Sequence, residues 1–123
     1  MLCLICSQVS PYMLALHNKE RVKYGAPALK LDLALNEAAQ KHADWMASRG
    51  QMVHQNLGNF MKGYSTAGEN IAMGQQDEED VVRAWLNSPG HRRNILNKNF
   101  THFGFGLASR GGTLYWCAVF TGK

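Results

Sequence analysis

The chain of 123 residues holds only three cysteines and three prolines. Three cysteines cannot close an even disulfide framework. Cys3 and Cys6 have C-x-x-C spacing, but they precede the first helical pattern and no second pair completes a zinc site, so they read as a weakly tethered pair. Cys117 falls in an apolar strand pattern and reads as a small buried residue. No apolar run approaches the roughly 18 residues of a spanning helix, so no transmembrane segment is expected. Charge is modest at 18% of residues, with a net +4, and no basic run is longer than Arg92-Arg93. That balance reads as a solubility feature, and nucleic acid is not an expected partner. A Gly-x-Ser-x-Gly nucleophile elbow is absent too. What is present is a 46% hydrophobic chain, long enough for one domain with its own core.

Residues 1–10 read as an N-terminal extension, in which Met1–Cys6 resembles the end of a signal-peptide hydrophobic region, and 11–123 as a single domain. Pro11 opens a helical pattern to about Tyr24, with Met13, Leu16, Glu20 and Tyr24 on one face and Gly25-Ala26-Pro27 as its stop. Leu29–Leu33 is an extended connector. Asp32 is a plausible N-cap for a second helix that runs to Arg49 before Gly50. Its stripe of Leu35, Ala38, Ala39, His42, Ala43 and Met46 predicts close approach to a flat surface such as a sheet. His42 reads as a hydrogen-bonded core histidine.

Gln51–Ala67 has no sustained period and reads as a loop, with a short strand possible around Val53 and a histidine, His54, that no packing pattern explains. Gly68–Gly74 is a short segment closed by glycine at both ends. Glu78, Glu79 and Asp80 complement the positive end of a helix carrying Val81, Val82, Trp85 and Leu86. Ser88 then suits an N-cap whose hydroxyl accepts a first-turn N–H, and Pro89 suits N1. That places His91 at N3, one turn before Ile95 on the same face.

The C-terminal stretch reads as a hairpin, with Phe103–Ser109 and Thr113–Thr121 joined through Arg110-Gly111-Gly112. Leu114, Trp116, Ala118 and Phe120 share one face of its second strand; Tyr115, Cys117 and Val119 share the other. An apolar pattern on both faces demands cover on both. Gly104 and Gly106 lie on one face of the first strand and admit a close neighbour. The expected fold is α+β, a three-layer α-β-α sandwich around a small central antiparallel sheet.

These segments together resemble the CAP superfamily of cysteine-rich secretory, antigen 5 and pathogenesis-related 1 proteins, also called SCP-like domains. The resemblance rests on His17-Asn18 with Arg21, Gly68-Glu69-Asn70-Ile71-Ala72, Trp85 leading to Gly90-His91-Arg92, Asn94-Ile95-Leu96, Phe103-Gly104-Phe105-Gly106, and Tyr115-Trp116. The Ser-Pro-Gly-His-Arg form and the lack of paired cysteines resemble the short bacterial-type branch. The resemblance implies a cavity lined by two histidines and two acidic residues, able in some members to hold a divalent metal. His54, Glu69 and His91 match three of those positions. Ser88 stands at the fourth, which removes one carboxylate.

Two neutral imidazoles and a carboxylate suit zinc or another divalent cation, weakly bound, with loss of binding as the imidazoles protonate at roughly pH 6–7. The resemblance implies a secreted protein, extracellular or in the cell envelope, that acts by binding a sterol or other lipid. Phe60, Met61 and Tyr64 are the ligand-contact candidates. Two alternatives are an extracellular protein-interaction module and a metal-dependent, protease-like hydrolase using His54, Glu69 and His91. No catalytic residue is assigned for the binding reading, and the balance favours binding over catalysis.

Overall fold

A computed structural model describes residues 4–60 and 63–122, with side chains described for 11–58 and 63–122. The elements run α1 (Leu4–Lys23), β1 (Lys30–Leu31), α2 (Leu33–Arg49), a 3₁₀ turn (Leu57–Phe60), β2 (Thr66–Met73), α3 (Glu78–Leu86), α4 (Pro89–Leu96), β3 (His102–Arg110) and β4 (Thr113–Gly122). The sheet order is β1-β3-β4-β2. Strands β3 and β4 form the hairpin. Gly111 and Gly112 both have positive φ, as a two-residue turn between twisted strands requires.

Strand β4 shows why the sandwich has two outer layers. Tyr115, Cys117 and Val119 pack with Leu35, Ala39, Ala43 and Met46 of α2. Trp116, Ala118 and Phe120 pack with Met13 of α1, Val81, Val82 and Trp85 of α3, and Ile95 of α4. Full burial of an aromatic such as Phe103 or Phe120 is worth about 2–3 kcal/mol, so both layers contribute substantially. The face assignment expected from alternation is the one observed.

The α2 layer is unusually close. A Cβ on Gly104 would stand 2.2 Å from the Leu35 carbonyl carbon, and one on Gly106 would stand 2.4 Å from Gln40 Cα. Two α2 side chains one turn apart use that proximity to satisfy the outer edge of β3. Asn36 Oδ1 accepts from the Phe105 N–H at 2.8 Å, and Gln40 Oε1 accepts from the Leu107 N–H at 3.0 Å. The helix is capped as expected: the Asp32 carboxylate accepts from Ala34 and Leu35 N–H, and Gly50 ends the helix in the left-handed region.

Several expectations need correction. The sheet is mixed rather than antiparallel, because Lys30–Leu31 of the supposed connector pairs parallel with β3. Strand β2 begins at Thr66, inside the stretch read as loop, and runs through the Gly68 segment; the backbone around Val53 is not a strand. Helix α1 starts at Leu4 with Pro11 inside it. Its buried stripe is Met13, His17 and Arg21, while Tyr24 is exposed. A hydropathy pattern misses that stripe because two of its three members are polar. Cys3 lies outside the described residues, as does the side chain of Cys6.

Those polar members are held by the backbone. Arg21, fully buried, donates to Pro27 O, Ile95 O, Asn97 O and Phe100 O at 2.8–3.0 Å. It therefore fastens the C-terminal end of α4 to α1. Asn18 brackets Leu29, accepting from its N–H and donating to its carbonyl.

A cleft at the edge strand

The candidate site lies along β2, the strand at one edge of the sheet. Glu69 faces the α2 layer there, and its side chain is only 1% exposed. A buried carboxylate needs several donors, and this one has four. Oε1 accepts from His54 Nδ1 at 2.8 Å and from the Gln55 N–H at 3.2 Å. Oε2 accepts from the Gln55 amide at 2.6 Å and from the Cys117 thiol at 3.5 Å. The loop bearing His54 is anchored next door, where His42 Nε2–H donates to Val53 O. His42 is thus the hydrogen-bonded core histidine expected.

His91 arrives from the opposite layer, on α4. Asn70 donates to His91 O at 3.0 Å, and Asn94 reaches back to Asn70 Oδ1 at 2.9 Å and Glu69 O at 3.2 Å. These two asparagines stitch α4 onto β2. With Arg21 at the far end of the helix, they fix where the imidazole sits. Burial lowers the His91 pKa from its ordinary 6.5, and His54, whenever that ring is protonated, lowers it further. His91 is therefore neutral at pH 7.

Ser88 departs from expectation. Its backbone has N-cap geometry, with φ −112° and ψ 118°, yet its hydroxyl makes no capping bond. Instead Ser88 Oγ lies 2.9 Å from His91 Nδ1. The hydroxyl has two uses within reach, and the imidazole takes it. Glu69 consequently bonds one imidazole, while Ser88 holds the other.

Proton placement follows from these contacts. Donation to a carboxylate keeps the His54 proton on Nδ1 and leaves Nε2 with its lone pair. The His91 Nδ1–Ser88 Oγ contact serves either direction; with the proton on Nδ1 and the hydroxyl accepting, Nε2 of that ring also keeps its lone pair. Neither Nε2 has a hydrogen-bond partner among the described residues. Among those residues, no group of three or more His, Cys, Asp and Glu side chains is arranged to hold a metal ion. Burial and the neighbouring Glu69 raise the Cys117 pKa well above its ordinary value, so it stays a thiol.

Of the three apolar ligand-contact candidates, only Tyr64 has a described side chain. Met61 and the side chain of Phe60 lie outside the described residues. Tyr64 is half-buried, with its hydroxyl donating to Asp32 Oδ2 at 3.2 Å and its ring 5.6 Å from that of His102. Gln55, Asn70 and Asn94 were not singled out from sequence as site residues. The signal for Gln55 was adjacency to His54, and for the asparagines it was their place beside Glu69 and one turn after His91.

A sheet covered by helices on both faces, with His54 held by the edge-strand carboxylate of Glu69 and His91 carried by a helix stitched to the same strand, defines an α-β-α sandwich of the SCP type. The chain belongs to the CAP family: the model of the cysteine-rich secretory protein family matches residues 14–121. It is 41% identical over 129 residues to the uncharacterized protein YkwD of Bacillus subtilis (strain 168), covering 95% of this chain and 49% of that one. It is 35% identical over 104 residues to the uncharacterized membrane protein YlbC of the same organism, covering 77% and 30%. The crystal structure of an extracellular SCP-domain protein from Bacillus anthracis superposes with TM-score 0.82 at 28% identity, covering 95% and 41%. The chain therefore spans half or less of these relatives. It is a bacterial-type CAP domain, and none of its described helices is long and apolar enough to cross a membrane.

Proposed function

We propose that the domain acts by binding, and that its edge cleft takes a divalent cation through Nε2 of His54 and Nε2 of His91. The observation that carries this reading is the bond from His54 Nδ1 to the buried Glu69 carboxylate. A carboxylate behind an imidazole is the usual second partner of a metal-bound histidine, fixing its tautomer and raising its basicity. Glu69 is an orienting group in this reading, since both of its oxygens are already engaged. Ser88 does the corresponding work for His91. When bound, the cation supplies positive charge and coordination positions that an oxygen of a partner can fill. The partner proposed for the domain is a sterol, another lipid or an extracellular protein. Binding is favoured over metal-dependent hydrolysis because both Glu69 oxygens are engaged and leave no free carboxylate as general base, and Cys117 is held as a buried thiol.

Calorimetric titration of the protein with zinc chloride tests the site. Binding of one ion at pH 7.5 is expected, abolished in His54→Ala and in His91→Ala and lost at pH 5. Unchanged affinity in both alanine variants would overturn the assignment.

A further inference from the structure

Away from the cleft, the C-terminal end of α1 and the outer side of α4 carry cations that have no carboxylate partner among the described residues. Lys19, Val22 and Lys23 share the exposed face of α1 at i, i+3 and i+4. Tyr24 follows, 48% exposed, and two positive groups converge on its ring. Lys23 Nζ lies 5.4 Å from the ring centroid, and the Arg92 guanidinium carbon lies 4.8 Å from it. Arg92 is about 100° round α4 from His91, and Arg93 beside it is exposed. Glu20 is the one carboxylate in α1, and it forms no ion pair with any of them among the described residues.

Cation–π attraction gathers both cations at the ring, and the positive charges so gathered favour something of opposite sign alongside. The apolar residue in their midst decides what that is. Val22 is 66% exposed, among the most exposed large hydrophobics described. A soluble polyanion gains nothing from a valine. A lipid interface takes the valine and tyrosine at acyl and headgroup depth, while the lysine and arginine heads reach the phosphates. Juxtaposed cations add to such binding through the negative surface potential.

We propose that Lys19, Val22, Lys23, Tyr24, Arg92 and Arg93 form a docking surface for an anionic lipid membrane. The surface is independent of the cation site, so either can fail without the other. The test is co-sedimentation of the protein with 100 nm vesicles of phosphatidylglycerol and phosphatidylcholine mixed 30:70, against vesicles of phosphatidylcholine alone, at ~50 mM and ~300 mM salt. Wild type is expected to partition onto the anionic vesicles only, and less at high salt. Lys23→Gln with Arg92→Gln is expected to weaken partitioning about 25-fold, at roughly fivefold per cation. Val22→Ser, which leaves charge and the Tyr24 contacts in place, is expected to weaken it severalfold and serves as the second variant if the double change fails to fold. The proposal is overturned if wild type ignores anionic vesicles or if both variants bind like wild type. It is equally overturned if soluble polyphosphate is bound and vesicles are not.

Discussion

His17 and His54 are the same residue type put to opposite uses. His17 is fully buried among the rings of Trp85, Phe103 and Phe120, with centroids 4.6–6.1 Å away. Its Nδ1–H donates to Met13 O at 2.7 Å, and its Nε2 is buried with no partner among the described residues. Burial with no carboxylate behind the ring drives its pKa down to about 4, with Arg21 adding a smaller push in the same direction. His54 has 59% of its side chain exposed, and the carboxylate it lacks in water is supplied by Glu69. Neutrality without access makes a core residue, whereas access with an oriented tautomer makes a ligand. The same contrast separates Arg21, saturated by four carbonyls, from Arg92, which lies over the Tyr24 ring with no carboxylate partner among the described residues.

The sharpest way to break this contrast is in the core. Arg21→Met leaves four carbonyls without their donor, at a cost on the order of 4 kcal/mol. Urea denaturation at pH 7 measures it, and a loss below about 1 kcal/mol would mean that the guanidinium is dispensable.

Acid comes next. A histidine whose folded pKa lies below its unfolded value of about 6.5 binds its proton more readily once unfolded. His17 therefore costs nothing above that value, and its penalty grows as pH falls through 6.5 towards 4. The expected loss is about 3 kcal/mol for this one residue between pH 7 and pH 4. Denaturant midpoints at the two pH values give the slope, and His17→Gln should flatten it.

In the cleft the effects move from stability to binding. Glu69→Gln keeps the shape but removes the charge that fixes the His54 tautomer, so zinc affinity should fall about 10- to 100-fold. Retention of full affinity would show that the carboxylate does not matter to the imidazole. Ser88→Ala should be the mildest. Removing a working N-cap costs about 1 kcal/mol, but Ser88 makes no capping bond, so only a few tenths of a kcal/mol should go, with a severalfold drop in zinc affinity. A full cap-sized loss in thermal denaturation would contradict the hydrogen bond to His91.

Local chemistry made much of the fold legible. Asp32 and Gly50 bracket α2, Pro89 opens α4, paired glycines turn the hairpin, and alternation along β4 assigns its two faces. What was hidden depends on distant partners. Two residues of β1 are too few to show a period, and they become a strand only because β3 lies alongside. Arg21 and His17 look solvent-facing until the carbonyls and rings that receive them are in place. In the cleft, the motif resemblance supplied His54, Glu69 and His91, but not which atom bonds which. The role of Ser88 could not be read because capping and imidazole contact are both open to a hydroxyl three residues before a histidine.

The most direct test is ¹⁵N NMR of the histidine side chains with and without zinc. Before metal, the His54 proton should be on Nδ1; on zinc addition, the Nε2 resonances of His54 and His91 should shift together while His17 stays still. A His54 proton found on Nε2, or a response from one ring alone, would contradict the paired-imidazole site.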